Sequence, residues 1–145
     1  MKKIYTDGAC KGNPGKGGWA FVVLDDKDKE VSRKSGSCRE DTTNNRMEMQ
    51  AVISGLKSVD ASEDVEVYSD SAYVVNCFKQ KWMVNWKRNG WVNSKKSPVE
   101  NRDLWEALDN ITTGRFITFI KVKGHSDNKF NNIVDVIASS AAREA

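Results

Sequence analysis

Residues 2–7 alternate apolar and polar positions, 18–24 are largely apolar, and 30–38 alternate weakly. A period of two belongs to strands, and Gly, Asp and Lys clusters bound each run, so the pattern predicts three consecutive strands joined by hairpins. Asp41-Thr42-Thr43-Asn44 then offers helix-capping side chains, and Met49, Val52, Ile53 and Leu56 recur at helical spacing, which predicts a helix over about 43–58. Val65, Val67 and Tyr68 make a short strand ending at Asp70, and 71–78 read as helix. Pro98 starts a further helix with Leu104, Trp105, Leu108 and Ile111 on its buried side, 115–122 form a strand, and Val134, Ile137, Ala138 and Ala141 mark a last helix. The predicted order, βββαβα(α)αβα, is that of an α/β protein without repeat, linker or low-complexity tract.

Residues 8–18 are rich in glycine, which invites a phosphate-loop reading. That loop needs Ser or Thr after its Lys and a helix next; here Gly17 follows Lys16 and a strand comes after. The segment is read as a turn, with close backbone approach to a ligand as its second use.

At 145 residues and 39% hydrophobic content, the chain has the size and apolar material of one compact domain, 1–145. No apolar run approaches the ~20 residues needed to cross a bilayer, and the opening Met-Lys-Lys-Ile-Tyr-Thr-Asp is unlike a signal peptide, so a cytoplasmic protein without a membrane partner is expected. Cys10, Cys38 and Cys77 are widely spaced and a single histidine accompanies them; they read as reduced, structural thiols rather than a zinc site. The net charge of +3 says little until its placement is considered. Residues 79–96 hold six Lys/Arg and no acid, interleaved with Trp82, Trp86 and Trp91, leaving the remainder acidic. This stretch is expected to be a short helix and an exposed loop around Asn89-Gly90, a surface that tracks a phosphate backbone with Lys87, Arg88, Lys95 and Lys96 while offering flat apolar faces.

Four acids stand where a solvated surface acid normally would not. Asp7 closes the first predicted strand and Asp70 the fourth, while Glu48 and Asp135 border the apolar stripes of their helices. Carboxylates converging at the rim of a buried face repel one another and lose hydration unless a cation joins them. An oxygen-only set favours Mg²⁺ or Mn²⁺. Each acid also has an ordinary role open to it: Glu48 and Asp135 as helix-surface charges, Asp70 as a helix cap, Asp7 in a turn.

The same residues carry a family resemblance. Tyr-Thr-Asp7-Gly-Ala-Cys-Lys-Gly-Asn-Pro-Gly resembles the opening motif of type 1 ribonucleases H; Thr-Thr-Asn-Asn-Arg-Met-Glu48, Tyr-Ser-Asp70-Ser and Val-Lys-Gly-His125 followed by Asp135 resemble the next three, in order along nearly the whole chain. The resemblance implies a ribonuclease H-like fold, a mixed five-stranded sheet flanked by helices. It implies an endonuclease that hydrolyses the RNA strand of RNA/DNA hybrids with two Mg²⁺ ions (Mn²⁺ as alternative) held by Asp7, Glu48, Asp70 and Asp135, leaving 5′-phosphate and 3′-hydroxyl ends. By similarity, the backbone of Gly8 and Cys10 and the amides of Asn13, Asn44 and Asn45 face the minor groove, where 2′-hydroxyls mark RNA. Thr43, with Asn13, would hold a DNA phosphate. His125, in a polar loop, would move a proton or assist product release, and the 79–96 segment resembles the basic handle of bacterial-type members. Nothing in the chain demands more than a monomer.

Ala72 and Asn132 depart from the family pattern, where a longer polar residue and Glu are common, and so does the loop between His125 and Asp135. Three other readings compete. A non-catalytic nucleic-acid-binding module would have no need of all four acids; an integrase-like or resolvase-like nuclease would not need the Thr-Asn-Asn cluster and handle; a cation-binding protein leaves the tryptophan-rich basic stretch unexplained.

Overall fold

The computed structural model describes residues 1–123 and 128–145. Ten elements follow in the order β1 (Lys2–Lys11), β2 (Gly15–Leu24), β3 (Glu30–Thr42), α1 (Asn44–Lys57), β4 (Val65–Ser69), α2 (Ala72–Lys79), α3 (Trp82–Arg88), α4 (Arg102–Thr112), β5 (Ile117–Lys121) and α5 (Lys129–Glu144). They build a five-stranded sheet in the order β3-β2-β1-β4-β5. The β1–β2 and β2–β3 pairs are antiparallel, and β4 lies parallel to both β1 and β5, so the sheet is mixed as expected.

Side chains on one sheet face, Ile4, Phe21 and Val23 among them, meet Met49, Val52, Ile53 and Leu56 of α1, together with Val74 of α2 and Trp105 and Leu108 of α4. On the other face Tyr5, Val22 and Leu24 pack against Val134 of α5. Successive side chains of β1 point to opposite faces and both faces are covered, so Ile4, Tyr5, Thr6 and Asp7 are all buried and one strand serves two cores.

Several boundaries differ from the pattern-based expectation. The hairpins are longer than the apolar runs: β1 continues to Lys11 and β2 begins at Gly15, because backbone pairing across the glycines continues where the apolar pattern stops. Asp7 therefore lies in the body of β1, paired with Ala20, and not at its end. The turn reading of 8–18 reduces to the tip between these strands. Pro98 does not open a helix; it closes an isolated bridge with Val92, and α4 begins at Arg102 behind Asn101, whose left-handed backbone (φ 59°) cannot continue a helix upstream.

Candidate active site

β1 is the central strand, and its parallel register with β4 runs through Tyr5 and Tyr68. Two further residues along each strand reach Asp7 and Asp70, so parallel pairing brings these carboxylates together. Thr6 Oγ1 donates to the Tyr68 carbonyl (3.2 Å) and the Tyr5 and Tyr68 rings stack at 4.5 Å, locking that register. Asp70 does not cap α2; Ser71 does, its hydroxyl accepting from Val74 N–H, which leaves the Asp70 carboxylate available.

Glu48 arrives from α1. Thr43 caps this helix, its Oγ1 accepting from Arg46 N–H at 3.2 Å, so Glu48 sits in the second turn on the face pressed against β1. The approach is permitted by Gly8, since a Cβ there would run into the backbone of Met47 and Glu48. Glu48 is consequently 8% exposed and Asp7 4%, which excludes a surface-charge role for the first and a turn role for the second. Ligand oxygens of Asp7, Glu48 and Asp70 all lie within 4.8 Å of one another.

Asp135 is half-buried on α5 and close enough to raise the pKa of Asp7 through its charge and a hydrogen bond. Its helix is anchored at the N-terminus by Asn128, which accepts from the Phe130 and Asn131 N–H groups and donates to Tyr5 Oη, and by buried Asn131, which donates to the Lys123 carbonyl. Gly18 lets the other end of α5 lie against β2, and Ser37 Oγ donates to Ala141 O at 2.6 Å. His125 lies outside the described residues.

The electrostatics follow from burial and like charge. Burial lifts the Asp7 carboxyl to about 8; a hydrogen bond with Glu48 opposes this, and the charges of Asp70 and Asp135 add to it. Glu48 is pushed well above the carboxylate range by burial, then by the charges of Asp7 and Asp70. Glu48 Oε2 is buried with no hydrogen-bond partner among the described residues. Such an orphaned oxygen, inside a cluster of acids that repel one another, fits a hard divalent cation, which would satisfy all of these groups together.

Beside the acids, Asn13, Thr43, Asn44, Asn45, Glu100 and Asn101 line a polar cavity of about 420 Å³. Asn13 Oδ1 accepts from Asn44 N–H at 3.1 Å, joining the hairpin tip to the start of α1. Cys10 Sγ reaches the carbonyls of Gly15 and Thr42 at 3.4 and 3.3 Å. Glu100 and Asn101 are additions that the sequence reading missed. Asn101 uses both ends of its amide, accepting from Arg46 and donating to Tyr73 Oη, while Arg46 also forms a forked pair with Asp103 at 2.7 and 2.9 Å. The available signal was an Asn immediately before a helical run, a residue suited to a left-handed entry.

The basic segment forms α3 and the loop that follows. Trp82, Trp86 and Trp91 are half-buried, with Trp86 5.8 Å from Trp105, 6.0 Å from Trp82 and 6.2 Å from Trp91. On their other side Trp82 and Trp86, with Asn85, Asn89 and Asn93, border an open cavity of about 380 Å³. Lys87 pairs with Asp109 at 2.7 Å, whereas Arg88, Lys95 and Lys96 are exposed and form no ion pair among the described residues. Asn93 Oδ1 accepts from the Lys95 and Ser97 N–H groups, which holds the loop in shape. Ala72 and Asn132 are exposed on α2 and α5. No helix among the described residues is long and apolar enough to cross a membrane.

Comparison with known proteins agrees with this geometry. The RNase H family model matches residues 1–143. A ribonuclease H of Thermoanaerobacter sp. (strain X514) is 50% identical over 137 residues, 94% of this chain and 86% of the relative. One of Acetivibrio thermocellus is 50% identical over 147 residues, covering 99% and 97%. The solved LC11-RNase H1, in complex with an RNA/DNA hybrid, superposes with a TM-score of 0.75 at 25% identity, covering 99% of this chain and 98% of that one. With residues 1–143 matched by the family model and relatives 50% identical over nearly the whole chain, the chain belongs to the ribonuclease H family of metal-dependent endoribonucleases, in its type 1 branch.

Proposed function

We propose that residues 1–145 act as a single catalytic domain that hydrolyses the RNA strand of an RNA/DNA hybrid, leaving 5′-phosphate and 3′-hydroxyl ends. The observation that carries the reading is the mutually repelling set of buried Asp7 and Glu48 and half-buried Asp70, with Asp135 beside it and the orphaned Glu48 oxygen inside it. These four residues would hold two divalent cations, Mg²⁺ or Mn²⁺, which when bound supply an activated water and charge stabilisation for the leaving oxygen.

The remaining work falls to the chain itself. The Gly8 and Cys10 backbone and the amides of Asn13, Asn44 and Asn45 face the minor groove and select for 2′-hydroxyls. Thr43 and Asn13, in the polar cavity, hold a phosphate of the DNA strand. Arg88, Lys95 and Lys96, with Lys87 and the exposed edges of Trp82, Trp86 and Trp91, bear on the backbone farther along, positioning the duplex without reading its sequence. His125 serves proton transfer or product release. The chain works as a monomer, and its three unpaired thiols suit a reducing, cytoplasmic setting.

The deciding experiment offers labelled RNA/DNA, RNA/RNA and DNA/DNA duplexes with Mg²⁺ and then EDTA. Cutting confined to the RNA of the hybrid, abolished by EDTA and by Asp7→Asn while hybrid binding persists, is the expected result. Tight hybrid binding without cutting under either metal would instead favour a non-catalytic binding module of the same fold.

A further inference from the structure

Three cations converge on the sheet face opposite the handle. Lys11 of β1 and Lys16 of β2 are register partners on either side of the hairpin tip, which sets two like charges directly across from each other with Cβ atoms roughly 5 Å apart. A Cβ at Gly18, two residues on from Lys16, would meet Ala138, Ala141 and Ala142 of α5, so Lys16 projects on the α5 face as well. The last turn of α5 adds Arg143, which with Lys11, Lys16, Ala142 and Ala145 lines an open cavity of about 470 Å³. All three cations are exposed, and none forms an ion pair among the described residues; Arg143 donates to Ser140 Oγ at 3.0 Å.

Like charges directly opposite one another weaken a strand pair, and no acid among the described residues offsets these two, so the arrangement suits an anion shared between them. The hairpin tip is held in place: a Cβ at Gly15 would collide with the Lys11 carbonyl, and Asn13 of the same tip accepts from Asn44 N–H at 3.1 Å. The patch is thereby continuous with the polar cavity of Asn13 and Thr43. Asp7, Ala9 and Lys11 share a strand face, and four residues at about 3.3 Å each put Lys11 roughly 13 Å from Asp7 along β1. At about 3.4 Å of axis per nucleotide, some four nucleotides separate a phosphate at the acids from one at Lys11. A small anion would fill one corner of this spread, whereas a duplex backbone carries charge along all of it.

We propose that Lys11, Lys16 and Arg143 bind the phosphodiester backbone of the RNA/DNA hybrid, as a second anchor on the α5 side of the acids. The tryptophans of the handle pack with Trp105 on the other face of the sheet, so the duplex is gripped from both faces. The cluster reads no sequence; it adds affinity and positioning. The identity of the bound duplex rests on the proposed function, whereas the unpaired cation cluster does not.

The test is fluorescence anisotropy of a labelled hybrid over a salt series, in EDTA to prevent cutting, with melting curves beside it. The double variant Lys11→Gln/Lys16→Gln is expected to bind at least about tenfold more weakly at low salt and to lower the slope of log affinity against log salt by about two, and Arg143→Gln lowers it by about one. Lys16→Glu faces Lys11 with the opposite charge, so it melts no lower than the parent yet binds the hybrid more weakly than Lys16→Gln. An unchanged slope in the double variant, affinity lost without slope, or parent-like affinity in Lys16→Glu would overturn the anchor while parent cleavage stands. Binding of a polyglutamate peptide that the double variant loses, with hybrid slopes unchanged, would assign the cluster to an acidic protein and overturn it too. Failure of the parent to bind or cut any hybrid would overturn the proposed function itself, and this anchor with it.

Discussion

Gly8 and Glu48 are in backbone contact: the Cα of Gly8 faces the Met47–Glu48 peptide so closely that a methyl group has no room between them. Glu48 thus reaches Asp7 because β1 has a gap in its side-chain row at Gly8. Gly8→Ala must push α1 away from β1. The expected result is destabilisation of about 1–3 kcal/mol by thermal unfolding and loss of most hybrid cleavage, with weakened metal binding in titration calorimetry. Parent-like cleavage in Gly8→Ala would mean that the Glu48 position is not set by this contact.

The raised acids make a metal-dependent pH profile. Asp7 titrates near 3.8 in the unfolded chain and at about 8 in the folded one, so the folded state binds more protons between those values. Stability without metal therefore falls as pH rises through that window, and is greatest below it. Mg²⁺ offsets the repulsion, so its stabilising effect grows with pH. Melting curves in EDTA and in Mg²⁺, at about pH 5 and about pH 8.5, are expected to separate by several degrees only at the higher pH. Asp7→Asn in EDTA should melt higher than the parent at high pH; equal melting of the two would contradict a buried, repelling cluster.

The basic handle is not uniform. Lys87 is engaged by Asp109 at 2.7 Å, while Arg88 has no such partner among the described residues. Arg88→Ala is expected to lower the slope of log affinity against log salt by about one, and Lys87→Ala by clearly less. Fluorescence anisotropy of a labelled hybrid over a salt series measures both; equal slopes would place the duplex elsewhere.

Arg46 joins the start of α1 to the start of α4 through its fork on Asp103 and its bond to Asn101. Arg46→Ala should cost about 1–2 kcal/mol of stability and raise KM for the hybrid more than it lowers kcat, because the polar cavity beside Thr43 loses one wall. Arg46→Lys restores charge without the fork and is expected to recover little of either. Full rescue by lysine would reduce the contact to a simple ion pair.

The local elements were legible because their causes are local. Thr43 capping, the helical spacing of Met49, Val52, Ile53 and Leu56, and the alternation of β1 each act within a few residues, and the structure places α1, β1 and β4 within a few residues of the predicted limits. Errors arose where long-range pairing or a special backbone overrode the pattern. Strand β1 runs past Asp7 because β2 continues to pair with it, and α4 waits for Asn101 although Pro98 looked like a start.

The four acids could be singled out along the chain, but spacing offered each of them an ordinary role as well. Those roles were excluded by contacts between residues distant in sequence. Parallel pairing of β1 with β4 aligns Asp7 with Asp70, and the absent side chain at Gly8 lets Glu48 sink to 8% exposure. Residue types and short-range periodicity thus settled which helices and strands form and which side chains carry oxygen ligands, because those depend on neighbours in the chain. Which carboxylates are buried together, and with them the raised pKa values and the fit to a divalent cation, depended on packing across the sheet, since burial and charge repulsion are properties of groups close in space.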